Sequence, residues 1–332
     1  MKKLDVALAA RMSWRGTVNW VKTRPICMSF ELTHSCTCDC RHCDHGGIKK
    51  DNKNLYAEDY RKLARDLKPL LLQLSGGEPL LRPDLYEIIS AVKEKSGLPY
   101  LIIVTNASKL TPDVYQKCID LGVNQFSVSL DFPDERHDDF RGLPGLYSHL
   151  EDVIPKIMAK GDNNLVMNTA ITRWNLPHLV ECYEKAKSWG ANISYSAYTS
   201  LRTSDTEYTI SSHEDLALLK EQIDRLLEIK KQGGKIINTD WTLSGTYEFF
   251  KNGGTMPGCQ AGKRTLVINP DGTMRPCSMF DYKFKSHEEV KEKFVKTNTC
   301  GGCYVSIRAY LSKGYWELLY RNIMERVIAP SR

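Results

Sequence analysis

The sequence predicts an α/β fold in which a parallel sheet is wrapped by helices, and three observations carry the prediction. Apolar, β-rich runs alternate with amphipathic helical stretches through the first 200 residues, making six βα-type units. The chain has 332 residues, 42% apolar and 26% charged, an ordinary globular composition with length for one large domain plus a small one. Eight of its eleven cysteines collect at two places, within residues 36–43 and 259–303.

Taken in order, ICMSFELT is the first strand and a helix follows over 55–67. LLLQLSG precedes a helix over 83–95, YLIIVT one over 111–121, NQFSVSLD one over 146–160 and LVMNTAIT one over 175–190, before a sixth strand, NISYSAY. Strands that alternate with helices pair in parallel through right-handed crossovers. Six of them form a doubly wound sheet or an incomplete barrel, and periodicity fits both. In either case ligands gather at the C-terminal strand ends, and SCTCDCRHC follows the first strand directly. Near the other end, TLVIN, a turn at Pro270-Asp271-Gly272 and TMRPC read as a β-hairpin that returns Cys277 toward Cys259.

Composition excludes several classes. The longest apolar runs, such as LPYLIIV, fall short of the roughly 18 residues a membrane helix needs. The opening MKKLDVALAARMSW is basic, but Arg11 interrupts its apolar stretch, so no export signal is read and a cytoplasmic location is expected. There thiols stay reduced, and clustered cysteines are more often metal ligands than disulfides. Cys27, Cys38, Cys118 and Cys182 fall outside the two sets and are expected as small buried hydrophobes. Residues 1–25 hold six Lys/Arg against one Asp and residues 304–332 five against two, leaving a near-neutral middle. In the first segment Leu4, Leu8, Met12, Trp14, Val18 and Trp20 interleave with Lys2, Lys3, Arg11 and Arg15. Such a segment caps a barrel; the alternative is peripheral contact with an anionic membrane surface. A net charge of +6 without a binding motif gives no support for nucleic acid.

Cys36, Cys40 and Cys43 form C-x3-C-x2-C. A closed zinc site needs a fourth ligand, which His42 or His45 could supply, whereas three thiolates on a cubane cluster leave one iron open to a substrate or cofactor. The second strand ends in LSGGEPLLRPDL. Gly76 and Gly77 let backbone approach closely, and Glu78, before Pro79, can accept hydrogen bonds from an ammonium group. Alone this tetrapeptide is a turn.

Joined at consecutive strand ends, C-x3-C-x2-C and GGEP resemble the radical S-adenosylmethionine (SAM) superfamily. The resemblance implies an incomplete (β/α)6 TIM-like barrel in which Cys36, Cys40 and Cys43 bind a [4Fe-4S] cluster. SAM chelates the open iron, and Gly76, Gly77, Glu78 and Pro79 receive its amino group. Cofactor contacts are further implied at Thr105 and Asn106, although Ala107 stands where relatives have glycine, and at Ser129 and Asp131, which otherwise are strand-end caps. Arg141 matches an arginine that pairs with the SAM carboxylate; its plainer reading is a surface ion pair with Asp138 or Asp139. His42 takes the place of an aromatic against adenine.

The second set, Cys259, Cys277, Cys300 and Cys303, resembles the twitch domain, a shortened SPASM extension, with an arrangement most similar to a radical SAM dehydrogenase of aminoglycoside biosynthesis. That implies a fully ligated auxiliary [4Fe-4S] cluster, a structural zinc knot being the alternative. The implied organisation is a basic amphipathic cap (1–25), the partial barrel (26–245), the twitch domain (246–310) and a C-terminal helix (311–332). The implied activity is reductive SAM cleavage to a 5′-deoxyadenosyl radical, hydrogen abstraction from an unactivated C–H bond and substrate oxidation, with the auxiliary cluster as electron relay. Radical C–C or thioether bond formation on a lipid or peptide is the alternative, and a non-catalytic iron-sulfur or zinc-binding regulator is the alternative of another class. A flavodoxin or ferredoxin is the expected reductant. The substrate is expected to be a small molecule, lipid or peptide; no peptide-recognition domain is read in the 35 residues before Cys36, which weighs against a peptide without excluding it. The acid–base residues are not identified.

Overall fold

In the computed structural model, which describes residues 5–49, 54–161 and 164–323, eight strands form one sheet in the order β6-β5-β4-β3-β2-β1-β7-β8. β1 (Cys27–Thr33), β2 (Leu71–Gly76), β3 (Tyr100–Thr105), β4 (Gln125–Ser129), β5 (Leu165–Ile171) and β6 (Asn192–Ala197) are the six expected strands, and neighbouring members pair in parallel. β7 (Thr265–Ile268) pairs in parallel with β1, and β8 (Met274–Arg275) runs antiparallel to β7. The sheet curves without closing, which makes an incomplete barrel of the TIM type.

Burial explains the strand sequences. Met28, Phe30, Leu32, Leu72, Leu74, Leu101, Ile103, Phe126, Val128, Leu165 and Ile193 are fully buried, as expected of parallel strands covered on both sides. Covering helices follow at Ala57–Leu67, Leu85–Val92, Pro112–Asp120, Leu146–Met158 and Leu179–Ser188. The second ends three residues before the reading of 83–95, because Lys93 takes an extended conformation. Helices at Arg136–Arg141, His213–Lys231 and Asp240–Lys251 were not read from the sequence.

Two differences bear on the site. The hairpin was expected in a separate small domain, but β7 lies against β1 and joins the barrel sheet, with Ile26 and Cys27 N–H groups donating to the Arg264 carbonyl. The helix Asp240–Lys251 also runs through the expected boundary at 245/246. At the N-terminus a helix, Val6–Val21, lies over the N-terminal strand ends, where Asn19 donates to the Pro25 and Lys68 carbonyls. Beyond the barrel, helices occupy Ser306–Leu311 and Tyr315–Ile323. Lys2, Lys3 and Leu4 of the predicted cap and residues 324–332 of the predicted C-terminal helix lie outside the described residues.

Candidate active site

The loop that leaves β1 carries Cys36, Cys38, Cys40 and Cys43, and the backbone holds it from both sides. Cys36 N–H donates to Gly47, Gly47 N–H to Cys38 and Asp39 N–H to Arg141. Each of the three motif thiols receives an N–H donor: Cys36 Sγ from Asn106 Nδ2 and Cys38 N at 3.4 Å, Cys40 Sγ from Arg141 Nη1 at 3.7 Å, and Cys43 Sγ from His45 N at 3.4 Å. Donors aimed at sulfur favour the thiolate that iron requires, so the loop fits an iron-sulfur cluster. Cys38 is buried as expected, but its thiol lies between Cys36 and Cys40. Its hydrogen bonds lower the pKa of both to about 7, while its own is raised.

GGEP closes onto this loop. A Cβ on Gly76 would fall 2.3 Å from the Thr33 carbonyl oxygen and one on Gly77 2.1 Å from that of Ser35. The two glycines therefore let the end of β2 pack against the backbone leading into the cysteines, a role within the chain where an approach to ligand was expected. Glu78 is 0% exposed. Its Oε1 accepts from Leu80 N at 3.0 Å and Thr105 Oγ1 at 2.7 Å, and its Oε2 from Asn106 N at 2.8 Å. Burial lifts its pKa to about 7, against these donors, which favour the anion. Glu78 thus ties the end of β2 to that of β3, and Asn106, so held, reaches Cys36 and Thr37. Pro79 opens the short 3-10 turn that follows. Ala107 has φ +64°, the left-handed conformation that glycine adopts without penalty, which explains the glycine of the family pattern.

Asp131 and Arg141 meet each other, not the surface. Arg141 Nε and Nη2 lie 2.6 and 2.5 Å from Asp131 Oδ2, and Asp131 Oδ1 accepts from Ala170 N at 2.9 Å. The plainer alternative for Arg141, a surface pair with Asp138 or Asp139, does not form: Asp138 instead accepts the N–H groups of Gly145 and Tyr147. Burial raises the Asp131 pKa, but the Arg141 guanidinium holds it below the usual carboxylate range. His42 stacks on Phe140 with centroids 4.6 Å apart and rings 15° from parallel, and burial followed by the Arg141 charge lowers its pKa to about 4. A neutral imidazole against an aromatic ring is a flat surface of the kind adenine stacks on. Ser129 ends β4, half-buried, opposite Asn168 of β5.

The second set also comes together. Cys277 follows β8 directly; burial, then the proximity of Cys303, Cys259 and Cys300, raises its thiol to about 12, and Cys303 is raised to about 11 by burial and Cys259. Asn298 joins the pieces, donating to the Cys259 carbonyl and accepting from Cys300 N. Thr199, just past β6, donates to the Gly302 carbonyl, which docks the loop on the barrel.

A cavity of about 490 Å³ is lined by His34, Asp44, His45, Arg202, Asp271, Arg275, Ser278 and Met279, so residues that neighbour Cys43 and Cys277 in the chain share its wall. Behind its wall the buried Glu31 Oε2 is 3.3 Å from His34 Nε2, 3.4 Å from His45 Nε2 and 2.5 Å from Arg275 Nη2. Arg202 contacts His45 and lies 2.5 Å from Asp44. Burial raises the Glu31 pKa, yet His34, His45 and the two guanidiniums hold it well below the carboxylate range. Glu31, His34 and His45 are the one described group of three whose ligand atoms lie within 4.8 Å of one another. Arg275 already supplies the countercharge to Glu31, so the group is an ion-pair and proton network more than a cation site. Sequence reasoning missed Glu31, His34, Arg202 and Arg275, which come from β1, the segment after β6 and β8. The one available signal was an ionisable residue inside an otherwise apolar strand, Glu31 in ICMSFELT.

Against known proteins, the model of the Radical SAM superfamily matches residues 30–186. The chain carries a radical SAM domain. The matched span includes the first cysteine set, GGEP, Thr105, Asn106, Ser129, Asp131 and Arg141, and leaves the second set outside. The chain is 33% identical over 183 residues to an AdoMet-dependent heme synthase of Methanosarcina barkeri, covering 52% of this chain and 50% of the relative. It is 26% identical over 265 residues to the mycofactocin maturase MftC of Mycolicibacterium smegmatis, covering 76% and 64%. The matches thus span half to under two-thirds of these relatives. The structure of native anSMEcpe with bound AdoMet and Kp18Cys peptide superposes with a TM-score of 0.61 at 18% identity, over 92% of this chain and 97% of that one, and so shares the radical SAM domain's fold.

Proposed function

We propose that this protein is a radical SAM oxidoreductase with two [4Fe-4S] clusters, one held by Cys36, Cys40 and Cys43 and the other by Cys259, Cys277, Cys300 and Cys303 in a twitch-type module covering roughly residues 246–310. The observation that carries this reading is one cavity bordered by chain neighbours of both sets: His45 on its wall lies two residues beyond Cys43, and Ser278 on its wall is next to Cys277. Bound at the first set, a cluster with SAM supplies a 5′-deoxyadenosyl radical able to take a hydrogen atom from an unactivated C–H bond. Bound at the second, a fully ligated cluster supplies an acceptor for the electron left on the substrate.

The chain's own residues then do the following. Glu78 and Asn106 hold the GGEP turn and Cys36 in one frame, and Asp131 fixes Arg141 beside Cys40. His42 and Phe140 offer the stacking surface. In the cavity, Arg202 and Arg275 orient the substrate, and His34 Nε2 or His45 Nε2 takes up the proton that oxidation releases, with Glu31 Oε2 stabilising the imidazolium. A substrate that loses one hydrogen atom, one electron and one proton leaves as the two-electron-oxidised product.

A second reading, radical bond formation on a peptide, is favoured by the shared fold of a protein solved with a bound peptide and by the similarity to a maturase. The two readings separate in a variant with Cys300 and Cys303 changed to Ala, given SAM and chemical reductant. Oxidation through the second set predicts that 5′-deoxyadenosine continues to form while oxidised product falls. Full product yield from that variant, folded and lacking the second cluster, defeats the electron-relay role.

A further inference from the structure

The helix Val6–Val21 packs Trp20 inward and leaves a second apolar set exposed. Toward the protein, Arg15 makes two bonds of 2.7 and 2.9 Å to Glu94, and Asn19 is buried, donating to two carbonyls while its own accepts from Arg264 Nη1. Toward the outside, Val6, Ala10, Trp14 and Val21 fall within an arc of about 80° at 100° per residue. Val6 is 76% exposed, Trp14 72% and Val21 76%. The adjacent helix Tyr315–Ile323, joined by the Thr17–Tyr315 hydroxyl contact of 2.6 Å, adds exposed Trp316 and Tyr320. Water-facing helix surfaces normally carry the opposite pattern.

Basic groups lie along one flank of this apolar face. Arg11 and Lys22 are exposed on the same helix. Exposed Lys68 adjoins it, its carbonyl accepting from Asn19, and so does exposed Lys95, beside Glu94. The nearby acidic groups are engaged: Glu94 by Arg15, Glu317 by Lys313 at 3.7 Å, and Asp5 by the N–H of Ala7 at the helix start. Apolar and indole side chains flanked by lysine and arginine match a lipid interface, where the indoles settle at headgroup level and the cations meet anionic phosphate.

We propose that this face docks the protein on an anionic lipid surface as a peripheral contact; no described helix is long and apolar enough to cross a membrane. The helix lies over the N-terminal strand ends, while the cysteine loops and cavity lie at the C-terminal ends, so docking leaves the substrate opening facing away from lipid.

The test is cosedimentation of the cluster-loaded protein with vesicles of equal parts phosphatidylglycerol and phosphatidylcholine, and with phosphatidylcholine alone. The expected result is binding to the first and little to the second, weakened by salt and reduced about tenfold by Trp14→Glu or Val21→Glu. Both residues are far from the cysteines, so SAM cleavage by the variants should equal that of the parent, which shows that they are folded. Absence of binding to anionic vesicles, equal binding to phosphatidylcholine alone, or binding unchanged by Trp14→Glu overturns the proposal. So does a concentration-dependent dimer abolished by Trp14→Glu, which would make the face a contact between copies.

Discussion

Replacing Glu78 by Gln removes one charge and one acceptor from a carboxylate that receives three hydrogen bonds, two on Oε1 and one on Oε2. The amide oxygen can take the place of Oε1, but its NH2 group then faces the Asn106 N–H, donor against donor. At least one hydrogen bond to a charged group is lost, at about 1.5–3 kcal/mol. The loss falls on Asn106, whose side chain donates to Cys36 Sγ, so the frame shared by GGEP and the cysteine loop loosens at the point where SAM would bind. If that whole cost is felt in SAM binding, affinity drops roughly 10- to 150-fold, at about 1.4 kcal/mol per factor of ten. Equilibrium dialysis with SAM on anaerobically loaded protein measures it, with iron measured alongside; iron should not change, since the cysteines are intact. Affinity within about twofold of the parent would refute the reasoning, because Glu78 would then be an ordinary turn residue.

Fully loaded protein should contain about eight irons, four per [4Fe-4S] cluster, and zinc at the second set would halve that number on elemental analysis. Asp131→Asn leaves the Arg141 guanidinium without its anion and should cost about 3–5 kcal/mol, read as a lowered urea midpoint at constant slope; a loss under about 1 kcal/mol contradicts a buried pair. Glu31 has its folded pKa below its ordinary value near 4.5, so it contributes stability above that value and loses it as the pH falls through it. Glu31→Gln should therefore flatten the acid side of the stability–pH curve, and a variant that falls as steeply as the parent between about pH 5 and 3 would contradict this.

What could be read in advance was what lies within one stretch of chain. The six parallel strands were legible because each is a short apolar run followed by a helical period, and the C-x3-C-x2-C motif stood out because its spacing is local. What could not be read depends on which distant segments meet. The pairing of β7 with β1 puts the hairpin into the barrel sheet, and no local pattern in TLVIN announces its partner. The polar network at the cavity joins Glu31 to Arg275, more than two hundred residues apart, with Arg202 on the same wall as Arg275. Arg141 and Asp131 were each read as a contact for SAM, yet ten residues of turn and short helix bring them onto one another, since a guanidinium buried beside a carboxylate forms the pair. The helix His213–Lys231 lies beyond the sixth strand, where the alternation that guided the reading had ended.

The central claim is that Cys36, Cys40 and Cys43 make this a SAM-cleaving enzyme, and the direct measurement is 5′-deoxyadenosine released from SAM by anaerobically loaded, reduced protein and by the variant with all three changed to Ala. The account predicts release by the parent and none by the variant, with about four irons still held at the second set. Deoxyadenosine formed by the variant, or none formed by a parent that holds its full iron, would contradict it.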